Sequence, residues 1–579
     1  MRNSIKYQII ISIAIFFSAC TDFINTVPQD FLAPQTYMNN EKEAFLVLTG
    51  VYDPISTQAM YGKFYSIDMQ NDDLSYQNRW TTTQSPVFNN PNKSDGTLKE
   101  TWNVLWDGIS RANFFLSMIN KPVMDSTKRE QFRAEALFLR SFYYYQLVCA
   151  WGDVPLRLNV INNLNQVQIA RTPAYDVLKQ VVKDMEASES SVGKTTDNSL
   201  AGSRVTQSAV QGILARVYLT MAGDMYTEAQ LPKKDMYEKA LFWSYQVKKS
   251  GLHTLNNKTV TINYADLAAS KPAGGYTYMD VFRRYAADEL DLDFKESIWE
   301  AMMSGNSQDP ANMEGQWIST TYGPSFTWDV KNHPSYYSYA FYTSTNTMWN
   351  LFAKDKPIVV EDLRLNSSLV PYNYKTNVAS SVVINSRSQI DLTITPNDEA
   401  TSGFSSTRFI GKYLRQFEVY SYHSKNFTPC NFPLLRYSDV LLMIAEAGIQ
   451  TRNLGGTIPA DIADINMEIY DCVKTVRDRA GVGATTPTTF SNIDFIIDER
   501  ARELCFEGLR RQDLIRWGIY INRMYATKDE MINAAKGVAS GAKTAIGNAI
   551  GNIGTRTLLW PIPLTEMSLN PLMTQNTGW

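Results

Sequence analysis

Apolar residues recur at alternating steps of four and three in four stretches of the chain: Phe132, Ala136, Leu139, Tyr143 and Leu147; Val210, Leu214, Val217 and Met221; Val440, Ile444 and Ala447; Ile497, Ala501, Leu504 and Gly508. That spacing keeps one face of an α-helix apolar, so each stretch predicts an amphipathic helix. Another helix is predicted to open at Thr172-Pro173, with the threonine as N-cap and the proline at the first helical position, leading into Leu178, Val181 and Met185. Two of the helices echo one another, since Ala136-x-x-x-Arg140-x-Phe142 matches Gly212-x-x-x-Arg216-x-Tyr218. A small residue lets an antiparallel partner approach closely and the aromatic fills the space beside it, which is the packing logic of tetratricopeptide repeats.

Between about Gly251 and Cys430 helical periodicity fades. Short alternating pieces such as Ser380-Ser381-Val382-Val383-Ile384 occur there, punctuated by Gly, Pro, Asn and Ser. The expected fold is mainly α: a tetratricopeptide-like helical scaffold over about 30–250 and 430–579, carrying a large loop-rich insertion with short strands over about 251–430. Loops held by a rigid frame are where binding residues tend to sit.

The start of the chain is a leader. Arg2 and Lys6 form a basic region, Ile9 to Phe17 an apolar core, and Ser18-Ala19-Cys20 a small-residue cleavage site. The apolar run is far shorter than the roughly 20 residues a spanning helix needs, so residues 1–19 are expected to be removed, leaving 20–579 as a single body. Phe17-Ser18-Ala19-Cys20 resembles the lipobox of bacterial lipoproteins, with Phe17 in place of the usual leucine. Acylation of Cys20 would hold the chain at a membrane surface, since each buried methylene contributes about 0.8 kcal/mol. The alternative is an ordinary secretory signal with an incidental cysteine.

Composition narrows the chemistry. The formal charge is −3 and no long basic run occurs, so nucleic acid is not an expected partner. Cys149, Cys430, Cys472 and Cys505 are widely spaced and mostly set in apolar helical patterns, and they read as buried free thiols rather than a disulfide frame. There is no CxxC pair and only His253, His333 and His423 could offer imidazole, so neither a metal site nor a cofactor is expected. Glu499, Glu503 and Glu507 share one helical face, and paired carboxylates can hydrolyse glycosides. Arg500, Arg502, Arg510 and Arg511 lie close by, however, and cations lower carboxylate pKa values, the wrong direction for a general acid. A structural ion-pair helix is predicted instead. Gly537 to Thr544 superficially resembles a phosphate loop, but Ala542 stands where glycine should precede the lysine and no apolar strand comes before it. It reads as a small-residue surface loop. With no Gly-x-Ser-x-Gly elbow and no His-Glu-x-x-His, nothing supports an enzyme.

Aromatics outside the periodic helices carry the remaining signal. Trp317, Tyr322, Phe326, Trp328, Tyr336, Tyr337, Tyr339, Phe341, Tyr342 and Trp349 crowd one loop-rich stretch, and Tyr76, Asn78, Arg79 and Trp80 follow the acidic pair Asp72-Asp73. A pyranose has an apolar C–H face and a hydroxyl rim, so a flat aromatic flanked by Asn, Asp, Arg or Gln suits it. The candidate ligand-binding residues are therefore Tyr76, Asn78, Arg79, Trp80, Trp317, Tyr322 and Trp328.

Several motifs together resemble a known family. Arg133-Ala134-Glu135-Ala136-Leu137-Phe138-Leu139-Arg140, Tyr143-Tyr144-Tyr145 and Trp151-Gly152-Asp153-Val154-Pro155-Leu156 are similar to the signature of the SusD/RagB family of outer-membrane nutrient-binding lipoproteins. Leu435 to Ala447, Val476 to Gly481, Glu499-Arg500 to Arg510, Asp513 to Gly518, and Trp560-Pro561-Ile562-Pro563 with Asn570-Pro571 and Gln575-Asn576 resemble its later segments in order, and Cys20-Thr21-Asp22-Phe23 fits its leader. The resemblance implies a tetratricopeptide-like fold tethered to the outer membrane and facing the cell exterior. It also implies a partner, a SusC-like TonB-dependent transporter, on which the chain acts as a lid that captures oligosaccharide and delivers it. The alternative is a lid that binds peptides or another nutrient, or that acts mainly as an interaction protein. The middle third carries no match.

Overall fold

The computed structural model describes residues 37–77, 84–163, 166–260, 278–303, 317–324, 338–353, 362–370, 372–376, 390–394, 408–418, 428–533 and 540–579. Its first part is a run of helices: α1 (Glu41–Tyr52), α2 (Gly96–Met118), α3 (Ser126–Trp151), α4 (Ala174–Glu189), α5 (Gln207–Met221) and α6 (Lys233–Lys249), with the strand β1 (Ser75–Gln77) between the first two. The middle holds α7 (Met279–Ala286), β2 (Ser297–Ala301), β3 (Tyr342–Ser344), α8 (Asn346–Ala353), β4 (Leu369–Val370), β5 (Tyr372–Thr376), β6 (Ile390–Ile394), β7 (Phe409–Ile410) and β8 (Phe432–Arg436). Then come α9 (Tyr437–Asn453), α10 (Ile465–Arg479), α11 (Asp494–Leu504), α12 (Arg510–Arg516), α13 (Tyr520–Asn533) and α14 (Ser540–Ile550).

Each helix from α1 to α6 packs on the next, and α6 packs on α9, which packs on α10. The stack therefore follows chain order except where the middle segment loops out between α6 and α9. β2 and β8 close that loop at its neck, pairing antiparallel with Ser297 opposite Arg436 and Ala301 opposite Phe432. The other described strands form two-stranded antiparallel sheets, β1 with β3, β4 with β7 and β5 with β6. The fold is mainly helical with short strands, as the sequence predicts.

The periodic stripes are the reason. Phe132, Ala136, Leu139, Tyr143 and Leu147 are all buried in α3, and Val210, Leu214, Val217 and Met221 in α5. The echoed arginines do equivalent work: Arg140 of α3 pairs with Asp184 of α4, and Arg216 of α5 pairs with Asp439 of α9, both at 2.6 Å. Gly212, the small residue of the second copy, is required by packing, because a Cβ there would lie 2.3 Å from Leu435 Cδ2 of β8. Gly152 ends α3 with φ +72, a conformation that favours glycine. The C-terminal tail closes over this end, with the Trp560 N–H on Ala150 O at 2.8 Å and the Trp151 indole on Pro561 O at 3.0 Å.

Three local expectations are corrected. Thr172 is not the cap of α4: its backbone pairs with Val154 in both directions, Pro173 takes the cap position, and Asp153 Oδ1 accepts the Ala174 N–H at 2.8 Å. The stripe ending at Gly508 stops early, since α11 finishes at Leu504, buries Ile496 rather than Ile497, and leaves Gly508 in a turn at φ +70. The small-residue segment expected as a surface loop is, from Ser540 onward, helix α14. Ala542, Ala545, Ile546 and Ala549 recur at helical spacing and are buried, and α14 packs on α13.

Candidate functional site

Three distant segments meet at one face of the insertion. β1 pairs with β3, Tyr76 opposite Thr343 and Gln77 opposite Tyr342, which sets the 75–77 segment against the stretch after 338. The turn at 317–321 joins them: the Trp317 N–H donates to Gly62 O at 2.9 Å, and the Tyr339 and Phe341 N–H groups donate to Thr320 O and Thr321 O at 2.6 and 2.8 Å. These contacts bring two half-buried groups to the same turn, Lys63 with Phe64 and Trp317, and Tyr339 with Phe341. The Lys63 ammonium lies 5.4 Å from the centroid of Phe64 and 5.6 Å from that of Trp317, within cation–π range. Tyr339 and Phe341 stack with centroids 4.4 Å apart. Asp68, pushed up by burial against the pull of Lys63, accepts from Lys63 at 2.9 Å and from the Tyr342 hydroxyl at 3.3 Å.

The predicted site residues divide. Trp317 stands on this face. Tyr322 does not: it is 5% exposed, edge-on to Tyr342 at 5.2 Å and stacked on Tyr413 at 6.2 Å. Tyr76 is 3% exposed inside the core, and its hydroxyl has no hydrogen-bond partner among the described residues. Both rings are packed where a ligand could not lie flat on them, a correction that polar neighbours in sequence could not signal. Asn78, Arg79, Trp80 and Trp328 lie outside the described residues. Lys63 and Phe64 are on the face although no sequence pattern marked them, because only the fold of 58–68 beneath Trp317 brings them there.

The glutamates of α11, Glu499 and Glu503, and Glu507 just beyond it are engaged in ion pairs. Glu499 meets Arg364 and Arg477, both at 2.8 Å; Glu503 meets Arg479 at 2.5 Å and Arg364 and Arg436 at 3.2 Å; Glu507 meets Lys412 at 2.6 Å and Arg436 at 2.8 Å. Burial alone would raise the Glu503 carboxyl, but Arg479, Arg436 and Arg364 bring it down to about 2. A carboxyl held there is ionised at neutral pH and has no proton to donate. Arg364 and Lys412 belong to the insertion, so this network ties insertion to scaffold. Asp73, one of the acidic pair, is likewise taken up by Arg510 and Arg523, each at 2.8 Å. Cys149, Cys430, Cys472 and Cys505 are buried and free. Among the described residues no His, Cys, Asp and Glu group could hold a metal ion, and no helix is long and apolar enough to cross a membrane.

Two family models match, one described as "SusD family" over residues 295–579 and one as "Starch-binding associating with outer membrane" over residues 22–219. The "SusD-like protein P38" of Formosa agariphila is 22% identical over 592 residues, covering 100% of this chain and 99% of its own. A crystal structure of a SusD homolog from Bacteroides thetaiotaomicron superposes with a TM-score of 0.75 at 24% identity, covering 94% of this chain and 98% of that one. Surface glycan-binding protein A of the same organism, solved with laminarihexaose, superposes with a TM-score of 0.62 at 18% identity, covering 93% and 100%. Together the two matched regions take in the helical stack apart from α6 and the greater part of the insertion, which the sequence motifs left unmatched, and the chain belongs to the SusD/RagB family.

Proposed function

We propose that this protein is a cell-surface glycan-binding lipoprotein that captures an oligosaccharide and delivers it to a TonB-dependent outer-membrane transporter. The observation that carries the reading is the pair of half-buried ring groups at one turn, Trp317 and Phe64 beside Lys63, and Tyr339 with Phe341. Flat rings next to a donor suit the C–H face and hydroxyl rim of a sugar. Trp80, Asn78, Arg79 and Trp328 are proposed to extend it, because each is an aromatic, amide or guanidinium side chain suited to a sugar and follows closely in sequence on a segment of this face, 75–77 or 317–324. The similarity to a laminarihexaose-binding protein supports a glucan-type ligand. Binding without cleavage is proposed, in keeping with the engagement of Glu499, Glu503 and Glu507 in buried ion pairs. Cys20 is proposed as the lipid anchor that holds the chain on the exterior face of the outer membrane.

A retention screen against plant, host and microbial polysaccharides, laminarin included, tests the ligand class. Retention by at least one neutral glycan, recovered with its chain length unchanged, is expected; shortened products from hydrolase-free protein contradict the binding role. Cys20→Ala should move the protein from the outer-membrane fraction to soluble fractions, and a membrane-bound variant contradicts the anchor. A TonB-dependent barrel should co-purify with the wild-type chain in mild detergent, and its absence removes the lid role.

A further inference from the structure

A second cleft, of about 960 Å³, lies between α1 and the neck of the insertion and shares no residue with the aromatic face. Its volume is in the range of small-molecule and short-peptide sites. One part of the lining is apolar: Phe45 and Leu46 of α1, 36% and 49% exposed, with Met302 and Met303 just past β2. Another part is acidic. Asp288 and Glu300 both line the cleft, Glu300 is only 4% exposed, and among the described residues neither has a cationic partner. Their contacts are neutral: the Asn431 amide donates to Asp288 at 3.3 Å and to Glu300 at 3.1 Å, and the Ser297 hydroxyl donates to Glu300 at 2.6 Å. The arginines that line the same cleft are already neutralised, Arg111 by Asp53 and Asp107 and Arg204 by Glu135. Trp299, also lining the cleft and fully buried, has an indole N–H with no acceptor among the described residues.

A buried N–H without an acceptor and a buried carboxylate, that of Glu300, without a cation are costly, and one occupant can complete both while its cation also meets the exposed Asp288. Sugar hydroxyls would leave the acidic end uncompensated. We propose that this cleft binds a peptide carrying a lysine or arginine side chain next to an apolar residue. The cation sits at Glu300 and Asp288, a peptide carbonyl accepts from the Trp299 indole, and the apolar neighbour lies against Phe45 and Met302. Burial raises the Glu300 carboxyl to about 7, the behaviour of a carboxylate that lacks its counter-charge.

The test titrates the full chain, by fluorescence anisotropy, with a labelled glycyl-leucyl-lysyl-glycinamide and with its ε-acetyl-lysine analogue. The free amine should bind about tenfold tighter or more. Glu300→Gln should abolish that preference. Asp288→Asn should weaken it, and this variant is compatible with the φ of +53 at the position. Melting temperatures near wild type, together with unchanged glycan retention, would show that the variants are folded and that the two sites are separate. Equal binding of both peptides, binding of neither, or a preference that survives in both variants overturns the proposal. So does loss of glycan retention in Glu300→Gln, which would give the cleft to the sugar.

Discussion

The helical stack and the aromatic face of the insertion are built on opposite principles. In the stack, neighbours in sequence are neighbours in space, and the helices pack on one another in turn, with the Arg140–Asp184 pair tying α3 to α4 and the Arg216–Asp439 pair tying α5 to α9. At the aromatic face, residues near 63, 317 and 340 meet through single backbone hydrogen bonds and one short strand pair. The two regions are joined by buried charge, because Glu503 and Glu507 of the scaffold hold Arg364 and Lys412 of the insertion. Stability should therefore concentrate in the stack and the joint, while the face can change residues with little consequence for folding.

The joint should give the largest effect. Glu503→Ala removes the common partner of Arg364, Arg436 and Arg479, and although each keeps another carboxylate, the buried network is left with one positive charge in excess. A loss of about 3–5 kcal/mol in denaturant unfolding is expected; a loss below about 1 kcal/mol, the scale of a surface pair, would mean that the network does not hold the regions together.

Next comes the stack itself. Leu214 is fully buried in α5, and Leu214→Ala should cost about 2–5 kcal/mol through the cavity it leaves. The folded fraction should keep its glycan affinity. An affinity loss that matched the stability loss would show that stack and face are not separable.

A smaller effect sharpens the comparison through pH. Burial, with Asp73 alongside, pushes the Asp72 carboxyl up to about 7 from a model-peptide value of 3.8. A folded pKa above the unfolded one means that the folded state favours the proton, so this group lowers stability progressively as pH rises from about 4 to about 7. Asp439 runs the other way: burial opposes its charge, but Arg500 and Arg216 bring it to about 2, so its contribution is present above about pH 4 and is lost as pH falls through 2. Asp72 Oδ1 accepts from the Leu74 and Ser75 N–H groups at 2.9 and 3.2 Å, and an asparagine keeps that acceptor. Asp72→Asn should therefore gain on wild type as pH rises from about 4 to about 7 in thermal unfolding, with no gain below that window. A constant difference across the range contradicts the assignment.

What the sequence reveals follows the same division. The stripes of α3, α5 and α9 and the free cysteines are local patterns, so burial could be read from them. The carboxylates at 499, 503 and 507 are legible as ion pairing, but most of their partners, Arg364, Lys412 and Arg436 among them, come from elsewhere in the chain. Helix α14 was hidden by Gly541, Gly547 and Gly551, which read as breakers although Ala545, Ile546 and Ala549 pack it onto α13. At the site, Tyr76 and Tyr322 have the same kind of sequence surroundings as Trp317, yet two are buried and one is half-buried. The difference is made by β1 pairing with β3 and by Trp317 docking on Gly62, contacts that no local pattern encodes.

The most direct test of the account is calorimetric titration of Trp317→Ala with the best-retained glycan, read beside its melting temperature. The account predicts an affinity loss of about 1–3 kcal/mol, the scale of a large side chain removed from a contact, with the melting temperature close to wild type. Unchanged affinity, or a fall in melting temperature as large as that of Leu214→Ala, would contradict a ligand face built on this tryptophan.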